Sequence, residues 1–281
     1  MLHYETHICG KDKEWVIFLH GLGGNSNIWY KQADDYKKDF NLIFIDLFGH
    51  GETTESLDAY SYETLAEFVI DVMDKAKIKS AHFVGISLGT IITDAVSIIA
   101  PERIKSIVQG GAVMGYDFRA RFLLRSGTIL KHILPYMWLY RLFAFIMMPR
   151  KNHSKSRNFF ICEAKKLGGK EFRKWYKLMG SLVSFYDTFR KKSTHTIPKL
   201  YISGDQDHLF LPFVLQNFLR EQFSSIHIIE KCGHVCNIER FKEFNRISLY
   251  YLNSYPDQPM LKNVPETCVS NRIPQQGLAT N

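Results

Sequence analysis

Short, wholly apolar runs alternate along this chain with longer segments in which apolar residues recur every three or four positions. The runs at 14–19, 42–46, 81–86, 104–109, 198–203 and 225–230 are too short for buried helices and read as strands. Helical spacing covers 26–37, 61–77, the stretch from Ser87 to about Ala100, 211–221 and 237–252. Ser61 precedes the second of these helices, with Glu63 and Glu67 early in it and Leu65, Phe68, Val69, Val72 and Met73 along one stripe. Strands that are apolar along their whole length have both faces covered. Strand–helix alternation therefore predicts an α/β protein with a mostly parallel central sheet and helices on both sides.

The alternation stops between Val113 and Thr194, where no strand pattern is found and aromatic and basic residues dominate. This predicts a core built from residues 1–112 and 195–254, interrupted by a helical cap over 113–194. Four of the nine prolines fall within the last 26 residues, so 255–281 is expected to be a disordered tail. With 281 residues, 46% of them hydrophobic, the chain can bury a large core. Five scattered cysteines do not make a disulfide framework, and the first residues lack a basic segment leading into an apolar one. Both point to a reducing, cytoplasmic setting.

Four places carry candidate chemistry. Gly85-Ile86-Ser87-Leu88-Gly89 follows a predicted strand and opens a predicted helix, the setting in which a nucleophilic serine sits on a sharp turn at a helix N-terminus. A glycine-rich turn with an incidental serine is the plainer alternative. His20-Gly21-Leu22-Gly23-Gly24 follows another strand and lets the loop bend back, so that the N–H of Leu22 joins that of Leu88 as an oxyanion-binding pair. His20 itself reads as a loop-shaping hydrogen bonder. Asp207 lies just beyond the strand at 198–203 and is preferred as the imidazole-orienting acid. Asp205, its rival two residues earlier, is assigned to capping the turn. His234 follows the last strand and precedes the last helix, with Gly233 giving the loop freedom to project the ring.

In chain order these residues run Ser87, Asp207, His234, with the oxyanion loop upstream. On this pattern the chain resembles the α/β-hydrolase superfamily over roughly 12–112 and 195–254. Asp46-Leu47-Phe48-Gly49-His50-Gly51-Glu52-Thr53 is similar to that family's Asp-x-x-Gly-x-Gly-x-Ser/Thr turn. The resemblance implies Ser87 as nucleophile, His234 as general base and then acid, Asp207 as orienting acid, and Leu22 and Leu88 as oxyanion donors. Ile86 stands where many relatives have histidine, a position outside the triad. A serine nucleophile also argues against the haloalkane dehalogenase and epoxide hydrolase branches.

No phosphate loop or dinucleotide fingerprint is present, so no cofactor is expected. Cys232 and Cys236 flank His234 but lack a fourth ligand and paired spacing, so no metal is expected either. The net charge of +8 is uneven. Residues 113–194 hold 18 lysines and arginines against four acids, a net +14, leaving −6 for the remainder. The segment 150–177 reads as a solvated basic face, or as a surface attracting an anionic carrier or membrane. Without a binding motif, nucleic acid is not the favoured partner. Ile133 to Met148 is almost continuously apolar, but at 16 residues with Arg141 inside it is too short to span a bilayer. It is expected to be a helix buried over the site, or a lid whose Trp138, Phe143 and Phe145 meet lipid or an acyl chain.

The expected activity is hydrolysis of a carboxylic ester with a lipophilic acyl group, through an acyl-enzyme on Ser87. Thioesters, lactones, carbon–carbon bond hydrolysis and a non-catalytic ligand sensor are the alternatives. Oligomeric state is not encoded in any of these patterns.

Overall fold

The computed structural model describes residues 1–117, 121, 134–192, 196–257 and 260–264. Among the described residues eight strands form one sheet: β1 (Tyr4–His7), β2 (Trp15–Leu19), β3 (Asn41–Ile45), β4 (Ala81–Ile86), β5 (Ile104–Gly110), β6 (Lys199–Gly204), β7 (Ser224–Ile229) and β8 (Lys262–Asn263). Their spatial order is β1-β3-β2-β4-β5-β6-β7-β8, and only β1 runs antiparallel to its neighbour. The six expected strands are β2 to β7. They are buried along nearly their whole length, as continuous apolar runs require.

Strand order reverses at β2. From β2 the chain goes to β3 on one side, then crosses to β4 on the other, leaving a crevice beyond the carboxyl ends of β2 and β4. Leu19 of β2 pairs with Gly85 of β4, so the loop after each strand starts from the same place. The glycine-rich loop at 20–24 and the serine turn are thus neighbours by register.

Helices α1 (Ala33–Tyr36), α2 (Tyr62–Lys75) and α3 (Leu88–Ile99) join the first strands. Ser61 caps α2, its side chain accepting from the Thr64 N–H at 3.0 Å. Between β5 and β6 the chain forms α4 (Tyr136–Met147), α5 (Ser154–Met179) and α6 (Leu182–Lys192). α5 breaks at Gly168, whose φ of +76° is outside helical geometry. α7 (Leu211–Phe218), α8 (Cys236–Glu239) and α9 (Phe241–Asn253) follow β6 and β7.

Four details differ from the sequence reading. The helix expected over 26–37 is a 3-10 turn at Ser26–Trp29 followed by the four-residue α1. The helix expected over 237–252 is two helices, because Arg240 takes a non-helical conformation between them. β1 is half-exposed at the sheet edge and lacks the apolar run that marks a buried strand. In the tail expected to be disordered, Lys262–Asn263 pairs with β7 as β8, while residues 265–281 lie outside the described part.

Candidate functional site

Ser87 stands between β4 and α3 with φ +52° and ψ −117°, a backbone conformation costly for any side chain but glycine. Neighbouring structure holds it there: the Ser87 N–H donates to the Gly110 carbonyl at 3.1 Å. The turn is tight enough to bring α3 against β2. A Cβ on Gly89 would overlap the Leu19 carbonyl, which explains glycine at that position. Leu88 is the first residue of α3, where a backbone N–H has no partner inside the helix.

The structure brings Ser87, His234 and Asp207 together. His234 Nε2 lies 2.9 Å from Ser87 Oγ, and His234 Nδ1 lies 2.8 Å from Asp207 Oδ2. A carboxylate only accepts, so Nδ1 carries the proton and Nε2 is left to accept from the serine hydroxyl. Asp207 and His234 are both buried, and the Phe210 ring packs 4.8 Å from the imidazole. The Phe210 N–H also donates to Asp207 Oδ1, at 3.4 Å. Asp205 does not face the imidazole. It accepts from the Cys232 N–H at 3.1 Å and so ties the turn after β6 to the His234 loop, a longer reach than the local cap expected.

His20 and His50 shape the loop after β2, the candidate for oxyanion binding. His20 Nε2 accepts from the Leu47 N–H at 3.0 Å, and its Nδ1 lies 2.8 Å from the Gly21 carbonyl. His50 Nε2 accepts from the Gly23 N–H at 2.9 Å. Burial lowers the pKa of both rings, and for His50 the neighbouring His20 lowers it further. Asp46 accepts from the Ser26 and Glu52 N–H groups, at 2.6 and 2.9 Å, and fastens the next turn to the same loop.

Two positioning contacts carry no sequence signature. Tyr140 of α4 is buried and its hydroxyl donates to the Leu22 carbonyl at 2.9 Å. The fit is close: with φ +75°, Gly23 has no room for a Cβ beside the Tyr140 hydroxyl. Glu239 accepts from the Gly233 N–H at 2.7 Å, and Ser156 of α5 donates to the same carboxylate at 2.9 Å. His153 Nε2 lies 2.8 Å from Gln206 Oε1, so the start of α5 bears on the loops that carry Asp207 and His234.

The serine opens into a cavity of about 60 Å³. The core contributes Leu22, Ser87, Leu88, Val113, Tyr116 and Phe210, and the helices between β5 and β6 contribute Leu139, Phe143, Phe160, Phe172, Tyr176 and Met179. None of these carries a charge. Phe143 therefore faces the cavity, whereas Trp138 and Phe145, with which it was grouped in sequence, are exposed. Burial pushes the Cys232 and Cys236 thiols well above their ordinary range. Among the described residues no cluster of His, Cys, Asp or Glu is arranged to hold a metal ion.

Comparison with known proteins agrees with this architecture. The family model described as "alpha/beta hydrolase fold" matches residues 14–127. A dihydrolipoyllysine-residue acetyltransferase component of an acetoin cleaving system from Cupriavidus necator is 33% identical over 98 residues, 35% of this chain and 26% of that protein. The chain thus matches about a quarter of that relative. A putative 2-succinyl-6-hydroxy-2,4-cyclohexadiene-1-carboxylate synthase from Bacillus subtilis is 26% identical over 262 residues, 86% of this chain and 91% of that protein. The crystal structure of an enol-lactonase from Burkholderia xenovorans superposes with a TM-score of 0.73 at 20% identity, covering 90% of this chain and 96% of that one. With a parallel sheet of this order, a family model matching over residues 14–127 and solved structures of the same architecture, the chain has the α/β-hydrolase fold.

Proposed function

We propose that the chain is a serine hydrolase of uncharged carboxylic esters with a lipophilic acyl part, and that α4 to α6 form a cap over its site. The observation that carries this reading is the pair of hydrogen bonds linking Ser87, His234 and Asp207 at the mouth of an apolar cavity. Ser87 Oγ attacks the ester carbonyl while His234 Nε2 takes its proton and Asp207 steadies the imidazolium that forms. The N–H groups of Leu22 and Leu88 receive the developing oxyanion. His234 then protonates the departing alcohol, and a water deprotonated by the same ring releases the acid and restores Ser87.

The apolar lining of the cavity favours a lipophilic acyl group. Thioesters and lactones fit the same chemistry. The B. subtilis relative's name contains a carboxylate. Among the described residues that line the cavity none is a lysine or arginine to pair one, which favours a neutral substrate. Ser87→Ala should reduce turnover of p-nitrophenyl acetate and butyrate to background with the fold intact. Undiminished turnover in that variant refutes the assignment, and turnover of a dienoic diketone without any ester cleavage would move it to carbon–carbon hydrolysis.

A further inference from the structure

α4 has two apolar faces. Its inner face is accounted for: Leu139 and Phe143 line the cavity, Tyr140 holds the oxyanion loop, and Ala144 and Met147 are buried. Among the described residues the outer face is not. Trp138, Leu142 and Phe145 are 67%, 52% and 51% exposed, and they recur at the i, i+4, i+7 spacing that puts them on one stripe. Leu134, just before the helix, is 38% exposed. A helix that merely covered a site would carry polar residues there.

The charge around the stripe is of one sign. Residues 134–157 contain five lysines and arginines and no aspartate or glutamate. Arg141 is exposed and lies within one turn of Trp138, Leu142 and Phe145. The Arg157 guanidinium sits 4.2 Å from the centre of the Phe145 ring, which places the start of α5 beside the end of the stripe. Arg150, Lys151 and Lys155 are exposed in that same connection. An exposed tryptophan among aliphatic and aromatic side chains, fringed by cations, matches the interface of an anionic bilayer. Apolar side chains enter the headgroup boundary there and arginines stay among the phosphates. Among the described residues no helix is long and apolar enough to cross a membrane, so this contact is a surface one.

We propose that the outer face of α4 docks on an anionic lipid surface. Docking would place the same helix between membrane and cavity, so that α4 yields to admit a lipophilic substrate from the bilayer. That second step rests on the hydrolase reading, whereas the docking does not.

The test separates the two by using the Ser87→Ala chain, which cannot turn over. It is mixed with vesicles of equal phosphatidylglycerol and phosphatidylcholine, or of phosphatidylcholine alone, and binding is read by co-sedimentation and tryptophan emission. The expected result is binding to the anionic vesicles with a blue shift that Trp138→Phe removes, since Trp29 and Trp175 are already buried and the half-buried Trp15 starts β2, at the opposite end of that strand from the site. The triple variant Trp138→Ser, Leu142→Ser, Phe145→Ser should bind at least tenfold more weakly with an unchanged melting temperature. Arg141→Gln alone should weaken binding about fivefold, with a shallower salt dependence. Equal binding to both vesicle types, full binding by the triple variant, or a stable dimer that the triple variant dissolves would each overturn the proposal. In the last case the stripe is a contact between copies of this chain.

Discussion

Tyr140→Phe removes one oxygen and leaves the packing of α4 in place. The Leu22–Gly23 peptide is held at both ends, its carbonyl by Tyr140 at 2.9 Å and its N–H by His50 at 2.9 Å. That peptide fixes the direction of the preceding Leu22 N–H, the proposed oxyanion donor. Tyr140 stays protonated, because burial raises its pKa well above the ordinary value, so it is a donor at every working pH. The phenylalanine ring would keep its stacking on Phe160, 4.7 Å away, and no cavity would open where apolar atoms were. The Leu22 carbonyl would be left buried and unpaired, at a cost of about 1–3 kcal/mol in stability. Complete loss of an oxyanion donor lowers kcat by about 10²–10³, which sets the ceiling for a donor that is misdirected but present. We expect a roughly tenfold fall in kcat on p-nitrophenyl butyrate with KM changed less than twofold, alongside a lower Tm. If kcat stays within twofold of wild type while Tm falls, Tyr140 is structural only and the link between α4 and the oxyanion loop is wrong.

Three further outcomes follow from the geometry. Burial depresses the pKa of His20 and His50 below the ordinary 6.5, so below about pH 6.5 the unfolded chain binds protons that the folded chain refuses. Thermal stability is therefore full above pH 6.5 and declines on acidification. His50→Gln should flatten that slope, and an unchanged slope would place the sensitivity elsewhere. Asp207→Asn should lower kcat by as much as about 10⁴ by spoiling the imidazole tautomer. Asp205→Asn should cost far less, since Asp205 bonds only the Cys232 N–H in that loop; the reverse ranking in a kcat comparison would exchange the two assignments. Lys199 is buried between Asp94 at 3.0 Å and Glu221 at 3.6 Å, so Lys199→Met leaves carboxylates uncompensated. Urea denaturation should show a loss of about 3–5 kcal/mol, and a loss under 1 kcal/mol would mean the cluster relaxes freely.

The site was legible where chemistry depends on order along the chain. Ser87, Asp207 and His234 each follow a buried apolar run, and strand ends converge on one edge of a parallel sheet, so their order along the chain is enough to bring these candidates to one place. Other contacts depend on which way a helix faces. Trp138, Phe143 and Phe145 look equivalent in an apolar stretch, yet Phe143 is one turn from Leu139 on the inner side while the other two point outward. Tyr140 sits in the same run, and nothing local marks its hydroxyl as the partner of a carbonyl 118 positions away. Glu239 was hidden because the break at Arg240, which separates its short helix from the next, leaves no gap in the helical periodicity. β1 went unseen because an edge strand with one wet face lacks the continuous apolar signal of its neighbours.

The central claim is a nucleophilic Ser87 activated by His234. Its most direct measurement is mass spectrometry of the folded protein after exposure to a fluorophosphonate. One adduct per chain is expected, on the peptide containing Ser87, that disappears in Ser87→Ala and forms much more slowly in His234→Ala. An unlabelled Ser87 in folded protein, or a single adduct on another residue, would contradict it.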